Sequence, residues 1–312
     1  MTPIIELDNV TRLYGIVIGV NDITLSLQPG AYGLLGPNGA GKSTLLNLMT
    51  GQLSPTLGTV RMLGHSPRNN PEFLSRIGYL PSSEGLYANV SAIDWVSYLV
   101  ELQGFGRREA VTIAEQALER VGMTEHMQRH IAEYSRGMRQ RTRLAQAIAH
   151  LPELLILDEP FNGLDPIARH QMTKLLRQWI DEGHSLILAS HVLHEIESIT
   201  RSFLLVCGGR LLASGSIEDI GELLADVPSE MRLRIDAPHE LASVLLQEQL
   251  VDSARIATDG SVVVATRTAV KVYQFLTSCV ASGRFDITEV RSSDESLQGV
   301  FDSLMKIHRG EQ

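Results

Sequence analysis

The run Gly36-Pro37-Asn38-Gly39-Ala40-Gly41-Lys42-Ser43-Thr44 matches the pattern G-x-x-x-x-G-K-[ST]. Before it, Ala31–Leu35 reads as a strand; after it, Ser43–Met49 reads as a helix stopped near Gly51. Glycines let the backbone curl until its N–H groups converge on phosphate oxygens, and the helix start adds its positive end. Lys42 is then placed to reach the β- and γ-phosphates, and Ser43 to hold Mg²⁺. The alternative, a chance glycine-rich turn, has to meet several fixed positions at once, between a strand and a helix.

Further along, Leu154-Leu155-Ile156-Leu157-Asp158-Glu159 is an apolar strand ending in two carboxylates. Asp158 is placed to bind Mg²⁺ through water, and Glu159 to polarise an attacking water. A buried strand with a polar turn gives the same letters, and the upstream loop favours the functional reading. Ile167–Glu182 reads as a helix and Ser185–Ser190 as the next strand, so the pattern predicts a parallel sheet with helices on its faces. His191 at that strand's end falls on the ligand side of such a sheet and can bond the γ-phosphate; a lone histidine is more often a surface or capping residue. Tyr14 can stack on a base, or be an ordinary strand tyrosine.

Tyr134-Ser135-Arg136-Gly137-Met138-Arg139-Gln140-Arg141 gives these pieces a common context. Here the chain resembles the ATP-binding cassette family of transporter ATPases: Ser135 and Gly137 match the family's LSGGQ signature, while Tyr134, Arg136 and Met138 depart from it. The resemblance covers about residues 3 to 220, with the motifs in the family's order. It implies Tyr14 as the adenine-stacking aromatic and Gly163-Leu164-Asp165 as the D-loop. Ser190-His191 is then the switch. The implied cofactor contacts are Tyr14, the loop from Gly36 to Thr44, Ser135, Gly137 and Asp165. Ser43 and Asp158 fall to the metal, and Lys42, Glu159 and His191 to catalysis. It also implies that Ser135 and Gly137 of one subunit face the phosphate loop of another, so that ATP bridges a homodimer. Since family members couple through the region after the Q-loop, Tyr87–Gln103 is the expected docking surface for an integral membrane permease. One departure stands out. In the context Ile77-Gly78-Tyr79-Leu80-Pro81 the family usually continues with a glutamine; here Ser82 follows, then Ser83 and Glu84. Serine is too short to reach Mg²⁺ and the attacking water as glutamine would.

The whole chain fits this frame. Its 312 residues suggest two domains. The first, 1–220, is expected to be an α/β phosphate-loop ATPase core. It combines a mixed sheet with flanking helices, an antiparallel β subdomain over the first thirty residues and a helical subdomain at about 88–150. The first thirty residues read as short antiparallel strands with turns at Tyr14-Gly15, Asn21-Asp22 and Pro29-Gly30. Beyond a helix and linker at 217–228, the second domain (221–312) shows the order β-α-β-β-α-β, which suggests a ferredoxin-like α+β unit with a last helix from about Glu295. It weakly resembles the extra domain of cassette ATPases paired with separate ABC-2-like permeases, often exporters. A net charge of −9 is no footprint of a nucleic-acid binder. The two cysteines, Cys207 and Cys279, are too few for a disulfide framework and read as reduced. The N-terminus lacks the basic and apolar regions of a signal peptide, and no apolar run approaches the ~20 residues of a spanning helix. The expectation is a cytoplasmic ATPase, peripheral on the membrane's inner face, that drives a permease and acts in export. Two competing functions are a non-transport cassette ATPase acting on ribosomes or DNA, and a module that senses ATP without useful turnover. The former usually has two cassettes or a long coiled coil, and Glu159 with His191 argues against the latter.

Overall fold

The computed structural model describes residues 3–83, 85–216 and 229–292. The expected helix over 217–228, the last helix from Glu295 and Glu84 lie outside the described residues. The described chain falls into two compact units that divide between Ser214 and Gly215.

The first unit opens with β1 (Ile5–Tyr14) and β2 (Val17–Leu27), which pair antiparallel. They are long strands where the sequence suggests short ones. Asn21-Asp22, expected as a turn, instead lies inside β2 at a register shift against β1. Asn9 and Asp22 both take left-handed backbone (φ 49 and 54), and the Asn9 amide donates to Asp22 Oδ1 at 2.9 Å. These two residue types tolerate that conformation, so they form a kink within the ladder rather than ending it. Next come β3 (Ala31–Leu35), α1 (Lys42–Met49), β4 (Leu57–Met62), α2 (Pro71–Leu74) and β5 (Ile77–Leu80). A helical stretch follows, α3 (Ala92–Leu102), α4 (Arg107–Arg120) and α5 (Arg136–Ile148). The unit closes with β6 (Leu154–Asp158), α6 (Pro166–Asp181), β7 (Ser185–Ser190), α7 (Leu193–Glu197), β8 (Ser202–Cys207) and β9 (Arg210–Ser216).

Two sheets result. β4 joins the first hairpin in the order β2-β1-β4, all antiparallel. The larger sheet runs β5-β6-β7-β3-β8-β9, with β5 through β8 parallel. Every residue of β6 and β7 is buried, as expected for strands covered on both faces. Side chains from both sheets and α1 share one core, including Val10, Ile23, Leu34, Leu46, Ile156 and Ile187. β6, β7 and β3 are neighbours and parallel, with Asp158 opposite Ala189 and Leu35 opposite Ser190. Their C-terminal ends therefore open along one edge of the sheet, which brings the segments after Leu35, Leu157 and Ala189 together.

The second unit comprises β10 (Ser229–Ile235), α8 (Pro238–Gln247), β11 (Ser253–Ile256), β12 (Val262–Thr266), α9 (Ala269–Ala281) and β13 (Ile287–Ser292). Its antiparallel sheet runs β11-β12-β10-β13. Alternate strand residues such as Met231, Leu233, Val262 and Val264 meet Leu241, Leu245, Val272 and Leu276 in a core of its own. Cys207 and Cys279 are both free and buried, one in each unit.

Candidate functional site

A cavity of about 420 Å³ opens where β3 gives way to α1. Its wall contains Tyr14, the loop from Pro37 to Thr44, Ser82, Asp158 and Glu159. Gly36 lies just behind, and its carbonyl accepts from Lys42 Nζ at 2.7 Å. The close turn depends on bare backbone. A Cβ on Gly36 would sit 2.2 Å from the Val206 carbonyl oxygen. Gly41 takes φ 107, and a Cβ there would lie 2.5 Å from the Gly19 oxygen. Gly41 is also the N-cap of α1 and offers no side-chain bond to the helix, so the first-turn N–H groups face the loop's hollow as donors. By contrast, α3, α5 and α6 are capped by Ser91, Ser135 and Asp165.

Charge converges on the same hollow. Lys42 is 6 % exposed; its ammonium also donates to the Pro37 carbonyl at 3.3 Å and lies 3.8 Å from Glu159. Burial pulls its pKa below the usual lysine range, while Glu159 and Asp158 pull it back up. Ser43 Oγ donates to Asp158 Oδ2 at 3.0 Å. Asp158 is 1 % exposed, and burial pushes its carboxyl up; the Ser43 and Ser82 hydroxyls oppose that, Glu159 adds to it, and Lys42 opposes it. Asp158 Oδ1 is buried without a hydrogen-bond partner. An orphaned, buried carboxylate oxygen beside a serine hydroxyl suits a hard cation that takes few protein ligands and several phosphate oxygens. Among the described residues, no group of three or more His, Cys, Asp and Glu side chains is gathered for a metal ion.

Glu159 occupies left-handed backbone, φ 53, a conformation that costs an L-residue about 1–2 kcal/mol. The turn is held by Glu159 N–H donating to the Ala189 carbonyl at 2.9 Å. Both Glu159 oxygens lie 2.9 Å from His191 Nδ1. A carboxylate only accepts, so Nδ1 carries the proton and Nε2 is left for a ligand. The sequence reading assigns His191 to the γ-phosphate; the structure seats it on Glu159. Two residues missed by that reading, Glu195 and Arg169, stand behind Ser190, the histidine's neighbour in the switch. Ser190 Oγ donates to Glu195 Oε2 at 2.7 Å, and Arg169 Nη1 lies 3.3 Å from Glu195 Oε1. Glu195 is only 5 % exposed.

Ser135, Gly137 and Asp165 do not line the cavity. They form a second group. Ser135 caps α5, its Oγ accepting from Met138 N–H at 3.3 Å, and Asp165 caps α6, its Oδ1 accepting from Ala168 N–H at 2.8 Å. Gly137 faces Ala168 and Leu164, so the start of α5 lies against the start of α6. Tyr14 flanks the cavity's outer end, its hydroxyl 3.5 Å from Thr44 Oγ1 and the Arg12 guanidinium 5.1 Å from its ring centroid.

Known proteins resemble this chain in sequence and fold. The sequence model described as ABC transporter matches residues 20–162. The bacitracin transport ATP-binding protein BcrA of Enterococcus faecalis is 33% identical over 98% of this chain and 97% of its own. The Nod factor export ATP-binding protein I of Cupriavidus metallidurans is 32% identical over 70% of this chain and 73% of its own. A solved structure described as the ATP binding subunit of an ABC transporter aligns with a TM-score of 0.64 and 26% identity, over 71% of this chain and 93% of that one. With a relative one third identical along almost the entire chain, and with the phosphate loop, both carboxylates and Tyr14 around one cavity, the chain belongs to the ABC transporter family, as an ATP-binding subunit that hydrolyses ATP.

Proposed function

We propose that two copies of this chain close around two ATP molecules and drive an integral membrane permease, in the direction of export. The observation that carries this reading is the division of the motifs. The phosphate loop and both carboxylates line the cavity, while Ser135, Gly137 and Asp165 stand outside it on the same chain. A second copy supplies to each cavity the capped start of α5, whose hydroxyl and first-turn N–H groups suit a γ-phosphate.

Within each site the chain positions and stabilises rather than forming covalent bonds. The loop N–H groups and Lys42 hold the β- and γ-phosphates. Glu159, steadied by His191, orients the attacking water and accepts its proton at a carboxylate oxygen. His191 Nε2 is directed to the γ-phosphate. Ser43 Oγ and Asp158 would hold Mg²⁺, which would supply positive charge beside the phosphates. Loss of the γ-phosphate removes the group that bridges the two copies and lets them part.

Export is supported by the relatives' names, one of which is an export ATP-binding protein. A separate permease is supported by the described helices, none of which is long and apolar enough to cross a membrane. Its docking face is the segment from Tyr87 to Gln103, where Tyr87, Tyr98 and Leu102 are exposed and the Tyr87 ring lies 5.1 Å from that of Trp95. The chain then works on the cytoplasmic face, without nucleic acid, in keeping with its net charge of −9. Affinity purification from a mild detergent extract tests this: an integral membrane protein should accompany the chain, and Leu102→Glu should release it while nucleotide binding persists. Recovery of ribosomes or DNA alone would sink the transport reading in favour of the non-transport one.

A further inference from the structure

Arg143 lies on α5, beyond Ser135, and is 6 % exposed. Burying a guanidinium costs several kcal/mol unless its donors are met. Its Nη2 donates to the carbonyls of Pro81 and Ser83, the latter at 2.7 Å, and its Nη1 to Gln140 Oε1 at 2.7 Å. Gln140, 5 % exposed, donates in turn from Nε2 to the Pro160 carbonyl at 2.6 Å. The two carbonyls taken by Arg143 flank Ser82 on either side, and Pro160 directly follows Glu159. One buried pair of side chains on α5 thus holds both the loop of Ser82 and the turn of Glu159.

Ser82 lines the cavity next to Asp158. A serine ends at Oγ, so its hydroxyl goes only where its backbone goes. A glutamine carries more rotatable bonds and can adjust its own reach. We propose that Arg143 is a positioning residue: by fixing the main chain on both sides of Ser82, it sets that short side chain against Asp158 and ties the metal-bearing end of the site to the helix that begins at Ser135. Any shift of α5 carries Ser82 with it. The inference rests on reading Ser43 and Asp158 as the Mg²⁺ site.

Titration of a fluorescent ATP analogue, in Mg²⁺ and in EDTA, reads the metal-dependent gain in affinity without turnover. Arg143→Met and Ser82→Ala should each cut that gain about tenfold, the usual effect of losing a partner behind a metal ligand. The double variant should lose no more than the worse single one. In a Ser82→Gln background, Arg143→Met should have little effect, because the longer side chain no longer needs the clamp. Additive losses, or a full Arg143→Met loss in the Ser82→Gln background, would overturn the inference while leaving the metal site intact. No Mg²⁺-dependent gain in the unmodified protein would sink the metal site and this inference together. Should Arg143→Met fail to fold, Arg143→Lys, which keeps a donor for the carbonyls, gives the same comparison with a smaller loss.

Discussion

Glu159 gathers the strain and the contacts of the site. It accepts the left-handed backbone that presents its carboxylate to the cavity, and it meets both His191 and Lys42. Glu159→Gln should keep ATP binding but lower steady-state turnover about 10²–10³-fold, the usual effect of removing one transition-state electrostatic partner. Near-normal phosphate release in that variant would refute the role. Asp158 makes the opposite kind of prediction. Burial raises its folded pKa, so the stability it contributes is present below the ordinary carboxylate range and lost as pH rises through the raised value. At neutral pH its ionised form weighs on the fold. Asp158→Asn should therefore raise Tm in EDTA and, in the same melts, abolish the extra stabilisation that Mg²⁺ with ATP provides. Much at this scale was legible in the sequence, because Gly36–Thr44 is a contiguous run with several fixed positions and it favours the functional reading of Asp158-Glu159. Arg143, Gln140 and Glu195 were not legible. Each acts through a partner at least five residues away or on another strand, so only the fold shows what it touches.

Among the elements, β7, α7 and α6 form a bracket behind His191, joined by Ser190, Glu195 and Arg169. Removing the middle member leaves the Ser190 hydroxyl without its buried acceptor. Glu195→Ala should cost about 1–3 kcal/mol in urea unfolding and slow ATP turnover as the strand end that carries His191 loses its support. Unchanged turnover would mean that the bracket serves stability alone. β3 and β7 were readable to the residue, since each runs between definite stops. β4 and β5 went unassigned in the sequence for a physical reason. β5 is four residues long and contains Gly78, where a Cβ would lie 2.1 Å from the Ala147 carbonyl oxygen of α5. That glycine weakens the local strand signal because it serves a close packing contact. The Asn21-Asp22 pair misled in the other direction, since turn-forming residues also make kinks inside a strand.

For the molecule as a whole, the expected consequence of the divided motifs is association that depends on ATP. Glu159→Gln with ATP and Mg²⁺ should give twice the monomer mass by light scattering, and Lys42→Ala, which weakens phosphate binding, should not. A monomer under both conditions would refute the composite site. The molecule's selectivity follows from how its cavity ends. At the inner end stand loop N–H groups, an ammonium and two carboxylates, the groups proposed to hold the triphosphate. At the outer end stand the flat ring of Tyr14 and the aliphatic chains of Val17 and Ile18. In the proposed site these would grip a base by area and stacking, and every nucleobase has a face to offer. Telling adenine from guanine takes hydrogen bonds to the edges of the ring, which can discriminate by ~10⁴-fold where they exist. A site that gripped by faces alone would discriminate far less, so GTP should enter the same cycle as ATP, and competing GTP should lower ATP turnover in proportion to its abundance.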